Sequence, residues 1–212
     1  MFKTNNIRIN GWALMDIRMI KLISIVFFLL YVNDLPNVSD VLYSILFADD
    51  TSLFFNGNDL DVIERIVNQE MSKIAGWLLA NKLSLNIQKT QYLIYTPSEG
   101  NASRQVECIN IRINGENVEQ VDHIKFLGVI LDSKLDWKHH ICYISRNISK
   151  GICIICKARQ FVDRKMLLTL YYTFVYPYLT YCFQCWGNTY TTTLDPLIKL
   201  QKRIVHTLIG GI

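Results

Sequence analysis

An α+β fold with a helical tail is predicted by three features of this sequence. Two short apolar runs flank Ala48-Asp49-Asp50, period-two runs fill much of the stretch from residue 83 to 131, and from Trp137 onward apolar residues recur at helical spacing. Strands and helices that fall in separate blocks, rather than alternating, point to α+β rather than to a parallel α/β sheet.

Taken in order, residues 22–32 (LISIVFFLLYV) form an apolar run closed by Asn33-Asp34-Leu35-Pro36. Eleven residues fall well short of the 18 or more that a spanning helix needs, and no small-x-small cleavage site follows, so the run is expected to be a core helix. Residues 43–47 and 51–55 are strand-like and make a β-hairpin whose tip carries Asp49 and Asp50. Asn58 or Asp59 can cap a helix with its apolar stripe at Leu60, Ile63, Ile66, Val67, Met71, Ile74 and Leu78. Period two returns at Leu83, Leu85 and Ile87 and again over residues 92–95, and Pro97 to Ser103 reads as a loop. Ile109, Ile111 and Ile113 lead to Asn114-Gly115, a hairpin turn dipeptide, with a return strand through Val118 and Val121 and one further apolar strand over 124–131. Helices are expected at about 138–160, 163–187 and 195–209.

The composition is that of a folded chain: 212 residues, 50% hydrophobic, 19% charged, four prolines and ten glycines. At this length roughly 70% of the unfolded surface can be buried, which excludes disordered and low-complexity classes and removes any need for a metal or disulfide to hold the core. The net charge of +4 is uneven, with eight basic residues between Lys134 and Lys165 against Asp136 and Asp163. Such a stretch is either a solvated helix face or a track for a polyanion. Cys153-x-x-Cys156 and Cys182-x-x-Cys185 have the spacing of zinc half-sites, but both lie in apolar, helix-like surroundings, so buried free thiols are expected and no zinc. The chain carries no convincing export signal or spanning segment; an intracellular location with no membrane partner is expected.

Adjacent aspartates on a hairpin between apolar strands repel one another, and a divalent cation offsets that repulsion; Mg²⁺ takes one or two carboxylates and completes its shell with phosphates and water. A polar turn is the plain alternative. The surroundings bear on the choice. Phe47-Ala48-Asp49-Asp50, preceded by Leu29-Leu-Tyr-Val-Asn-Asp-Leu-Pro36, resembles the reverse transcriptases of non-LTR retrotransposons of the LINE and jockey-like kind. Further matches follow in that family's order: Asn81-Lys-Leu-Ser-Leu-Asn86 with Lys89-Thr90, Phe126-Leu-Gly-Val129 with Leu135-Asp-Trp137 and His140-Ile141, then Tyr176-Pro-Tyr-Leu-Thr-Tyr-Cys182, Trp186-Gly187 and Leu200-Gln-Lys-Arg203.

The resemblance implies part of a right-hand polymerase. Residues 1–25 would be a degenerate N-terminal segment, 26–131 a partial palm of antiparallel sheet and packed helices, and 132–212 an all-helical, thumb-like region. Asp49 and Asp50 would be catalytic and metal-binding, with Lys89 assisting the departing pyrophosphate. Phe126, Leu127 and Gly128 would grip the primer, and Lys138, Arg146, Lys150, Lys157 and Arg159 would touch nucleic-acid backbone. The implied cofactor is Mg²⁺, two ions in the intact family and at best one partial site here. The implied partners are an RNA template, a DNA primer and deoxynucleotides.

Two-metal phosphoryl transfer needs a second carboxylate site, which the family carries on a strand well before the hairpin. Ahead of Asp34 this sequence has only Asp16, too close to Asp49 for that layout, and Met19–Ser24 stands where a Gln-Gly-Ser block is usual. The chain is therefore expected to lack autonomous polymerase activity, with a non-catalytic nucleic-acid-binding remnant as the alternative. A palm without that strand is also expected to leave a sheet edge open and apolar surface exposed.

Overall fold

The computed structural model describes residues 5–10, 21–48, 50–95 and 109–209, with backbone alone for 5–10 and 21–25. The fold mixes helices with short, mainly antiparallel sheets, as an α+β protein does. It divides into two units, Met1–Ile124 and Lys125–Ile212.

In the first unit, strand β1 (Asn5–Asn10) is followed by helix α1 (Lys21–Tyr31) and a 3₁₀ turn at Leu35–Val38. The expected hairpin is present: β2 (Tyr43–Phe47) pairs with β3 (Asp50–Gly57) in antiparallel register, Phe47 opposite Asp50 and Tyr43 opposite Phe54. Helix α2 (Leu60–Ala80) starts at Asp59, whose side chain accepts from the Asp61 N–H as an N-cap should. Its apolar stripe buries Ile63, Val67, Met71, Ile74 and Leu78 in the core shared with Leu53, Tyr92, Ile94, Ile111 and Ile113.

The strand expected at 83–87 is not there. The Asn86 side chain accepts from the Lys89 N–H and bends the chain into a 3₁₀ turn, Ile87–Lys89, before β4 (Gln91–Tyr95) begins. Beyond it, Asn114-Gly115 joins β5 (Arg112–Ile113) to β6 (Glu116–Asn117), and β7 (Glu119–Gln120) follows. Polar groups of α2 hold this segment: Asn68 accepts from the Arg112 N–H at 2.7 Å and donates to the Asn110 carbonyl, while Glu64 accepts from the Asn110 N–H. The loop expected at 97–103 lies outside the described residues.

One expectation is corrected here, that residues 22–32 form a core helix. The main sheet has the order β2-β3-β1-β4-β7, so β1 fills the position between β3 and β4, while β2 stands at an edge with Tyr43 and Phe47 exposed. The alternation in Asn-Asn-Ile-Arg-Ile-Asn suits such a strand. The run at 22–32 does form a helix, but not a core helix. Val26, Phe27 and Leu30 are 55%, 66% and 67% exposed, and burial begins only at Val32 and Leu35.

The second unit begins inside β8 (His123–Phe126), which turns back into β9 (Val129–Asp132). A single strand over 124–131 is expected from the apolar run, but Leu127 (φ 45°) and Gly128 (φ 87°) fold it into a hairpin. Helix α3 (Lys138–Ala158) packs its isoleucine face against the rest of the unit. The expected helix over 163–187 is three pieces: α4 (Arg164–Phe174), α5 (Tyr176–Thr180) and α6 (Phe183–Trp186). Pro177 lacks the N–H that would continue α4, and Cys182 adopts a left-handed φ of 50° that ends α5. Helix α7 (Thr191–Ile209) starts four residues earlier than the sequence pattern suggests and contributes Leu197 and Ile204 to the core around Trp186.

Candidate nucleic-acid interface

The hairpin β2–β3 positions Asp50 at the first residue of β3, exposed and opposite Phe47. Asp49 lies outside the described residues. Lys89 closes the 3₁₀ turn just before β4 and is exposed, its backbone fixed by Asn86. The next residue, Thr90, is fully buried, with its hydroxyl donating to the Asn86 carbonyl at 2.9 Å.

The register brings the start of β3 and the turn before β4 to the same end of the sheet. Ile9 of β1 stands opposite Leu53 on one side and Tyr92 on the other. Three residues back along each neighbouring chain segment lie Asp50 and Lys89. Both strands run antiparallel to β1, so their starts share one end of the sheet, two strand spacings or about 10 Å apart. A carboxylate on the first residue of a strand and an ammonium on the 3₁₀ turn that leads into another, at one end of the sheet, suit a site for a phosphate with its cation. Among the described residues no group of three or more His, Cys, Asp or Glu stands together to hold a metal ion. Asp50 therefore offers a hard oxygen donor but not a complete cage.

Phe126, Leu127 and Gly128 form the turn of the β8–β9 hairpin in the second unit. Phe126 is half-buried, while Leu127 is exposed and gives its carbonyl to the Tyr181 hydroxyl. The hairpin is further braced on α3, where the His140 Nδ1 accepts from the Ile130 N–H at 3.3 Å. Lys125 lies 5.5 Å from the centre of the Tyr143 ring, within reach of a cation–π contact.

Helix α3 carries basic residues and no acid. At 100° per residue Arg146, Lys150 and Lys157 fall within about 40° of one another. All three are exposed, on the side opposite buried Ile144, Ile148 and Ile155. Lys138 is placed differently: its ammonium pairs with the Asp136 carboxylate at 2.8 Å. Burial alone raises the Asp136 carboxyl, but the hydrogen bonds and charge of Lys138 outweigh it and hold the group below its ordinary value. Arg159 follows the end of α3 and is exposed. The second unit as a whole has 12 basic and 4 acidic side chains, net +8, against 10 and 14, net −4, in the first. A contrast of that size supports the polyanion reading of the stretch from Lys134 to Lys165.

The cysteines need a correction. The five that are described are free thiols, but of the four expected to be buried Cys153 and Cys185 are exposed and Cys156 and Cys182 half-buried. Cys153 sits on the basic face of α3, where the helical repeat turns it away from the isoleucine core.

No family model and no solved structure matches the chain. It is 24% identical over 168 residues to the RNA-directed DNA polymerase from mobile element jockey of Drosophila funebris, covering 78% of this chain and 18% of that protein. It is 24% identical over 168 residues to the probable RNA-directed DNA polymerase from transposon BS of Drosophila melanogaster, covering 76% and 18%. The chain is a relative of non-LTR retrotransposon reverse transcriptases. A third match is the retrovirus-related Pol polyprotein from type-1 retrotransposable element R1 2 of Nasonia vitripennis, at 23% identity over 144 residues, 66% of this chain and 35% of that one. This reverse-transcriptase relative thus spans about a fifth of the length of the first two proteins it matches.

Two further residues shape this geometry, Asp132, which belongs to no motif, and Tyr181, which lies in the Tyr176–Cys182 motif. Asp132 is buried, and its carboxylate accepts from the backbone N–H groups of Lys134, Asp136 and Trp137 at 3.2, 2.9 and 3.0 Å. It thereby shapes the turn in which Leu135 and Trp137 hold positive φ angles. Tyr181, within the Tyr-Pro-Tyr-Leu-Thr-Tyr stretch, fastens the Leu127–Gly128 turn. The sequence cue for Asp132 was an acid at the end of an apolar strand, just before a turn.

Proposed function

We propose that this chain is the palm and thumb portion of a reverse transcriptase and acts in template-directed DNA synthesis on RNA. The observation that carries the reading is the placement of Asp50 and Lys89 at one end of an antiparallel sheet, in a relative of RNA-directed DNA polymerases. Residues 26–131 serve as palm and 132–212 as thumb. Asp49 and Asp50 would hold Mg²⁺, and the ion would supply charge neutralisation for the phosphates of an incoming deoxynucleotide. The ammonium of Lys89 offsets charge that builds on the departing pyrophosphate. The turn Phe126-Leu127-Gly128 supports the primer end, and its rigidity comes from Tyr181 and His140. Arg146 and Lys150 lie against the phosphates of the primer–template duplex, where each contact releases condensed counterions, and Lys157 continues the same basic face.

Phosphoryl transfer between two metal ions needs a second carboxylate cluster besides Asp49 and Asp50. The 212 residues alone are therefore expected to hold a primer–template without extending it. The test is primer extension on an RNA template with a DNA primer, in Mg²⁺ and then Mn²⁺, beside an Asp49→Asn control. Salt-sensitive retention without extension agrees with the reading. Extension that disappears in Asp49→Asn keeps the polymerase assignment but overturns the expected inactivity, and directs attention to Asp16. Failure to bind the primer–template at low salt refutes the assignment.

A further inference from the structure

The second unit holds a cleft of about 590 Å³ beside the C-terminal half of α3 and lined on its other side by α7. Two cations reach it, Lys157 from α3 and Arg203 from α7, together with the polar Ser149 and Gln160, and no acidic residue lines it. At its rim stands Phe161, 84% exposed. Phe161 is not a loose loop residue: its N–H donates to the Ala158 carbonyl at 2.9 Å, and the neighbouring Val162 N–H donates to the same oxygen. The turn between α3 and α4 therefore presents a large apolar ring to water from a hydrogen-bonded backbone. Phe161 takes no part in the core around Trp186.

A base stacked on an aromatic ring, with its flanking phosphates on nearby cations, is how proteins hold single-stranded nucleic acid irrespective of sequence. A duplex cannot use the ring, because its bases present their faces to each other; it offers only phosphates and groove edges. The volume fits a group of nucleotide size rather than a helix of nucleic acid. We infer that this cleft is a single-strand site, in which one unpaired base of an RNA strand stacks on Phe161 while its neighbouring phosphates pair with Lys157 and Arg203. The site would take up the unpaired template beside the duplex track formed by Arg146 and Lys150. It rests on the nucleic-acid reading of the second unit and adds to it a strand state and a stacking residue.

The test uses fluorescence anisotropy on the full chain with two labelled probes, a twelve-nucleotide oligouridine and a twelve-base-pair RNA–DNA duplex. The variants are Phe161→Ala, Phe161→Tyr, Arg203→Gln and Arg146→Gln. Loss of one stack is expected to weaken oligouridine binding about tenfold in Phe161→Ala, with Phe161→Tyr restoring it and duplex binding unchanged. Arg203→Gln should weaken the single strand more than the duplex, and Arg146→Gln the reverse. If Phe161→Ala binds oligouridine as well as the unaltered chain while Arg146→Gln loses duplex, the cleft proposal is wrong and the duplex track stands. If the unaltered chain binds neither probe at low salt, both fall. Phe161 is so exposed that its replacement does not threaten folding, so a null result on that residue counts.

Discussion

The Tyr181 hydroxyl donates to the Leu127 carbonyl at 2.5 Å, and its ring carbon Cε1 lies 3.2 Å from where a Cβ on Gly128 would stand. One side chain thus both bonds and backs a two-residue turn whose φ angles are both positive. Gly128→Ala places an L side chain at φ 87° against that ring and is expected to cost about 1–2 kcal/mol, most of it backbone strain. Tyr181→Phe keeps the ring and removes the bond, for a loss of about 1 kcal/mol. Urea titration of both variants checks the order. An alanine variant as stable as the parent would mean that the turn can relax and is no rigid support for a primer.

Asp132 is a structural carboxylate rather than a catalytic one. With three backbone N–H donors and 4% exposure, its removal leaves those donors facing a cavity. Asp132→Ala should lower the unfolding free energy by about 2–3 kcal/mol, and Asp132→Asn, which keeps one acceptor oxygen, by less. The guanidinium midpoints of the two variants test this. Equal losses would show that charge, rather than acceptor count, is what the turn needs.

Histidine 140 links stability to pH. It is 2% exposed between β9 and the aromatic rings of Trp137, Tyr143 and Trp186, and burial pushes its pKa below the ordinary value. The folded chain therefore keeps the ring neutral, which the bond from the Ile130 N–H to Nδ1 also requires. The unfolded chain takes up a proton near pH 6.5 and the folded chain only at lower pH, so stability falls as pH drops through that range. The described contacts of the ring are the aromatic rings of Trp137, Tyr143 and Trp186 and the Ile130 N–H, and burial is the cause of the downward shift. Urea midpoints measured at pH 7.5 and 5.5 should differ, and His140→Gln should narrow the gap; an unchanged gap would assign it to other groups.

The basic face of α3 predicts a salt slope. Each phosphate contact contributes about −0.9 to the slope of log K against log salt on duplex. Replacing Arg146 and Lys150 together by Gln should flatten the slope for a duplex probe by about 1.8. Lys138→Gln should change it much less, because that ammonium is already engaged by Asp136. A loss as large for Lys138 as for Arg146 would show that the ion pair opens when nucleic acid binds.

How far the sequence could be read depended on how local the cause was. The β2–β3 hairpin, the Asp59 cap and the stripe of α2 were legible because each rests on contacts within a few residues, where side-chain alternation and capping act directly. The family relationship was legible for a similar reason, since motifs in order need no coordinates. The course of residues 83–87 was misread because an Asn86 side chain competes with strand formation.

What the tertiary structure alone decided was what lies beside what. The five-stranded order that puts β1 between β3 and β4, and so brings Asp50 and Lys89 to one sheet end, depends on pairing between segments tens of residues apart. The eleven-residue apolar run determined a helix but not its burial, because burial needs a partner surface that no local pattern specifies. The same holds for the cleft with Phe161, Lys157 and Arg203: its residues come from a helix, a turn and a second helix, and only packing makes them one site. Charge and periodicity were written in the chain itself, whereas neighbourhood was fixed by long-range strand pairing and helix contact.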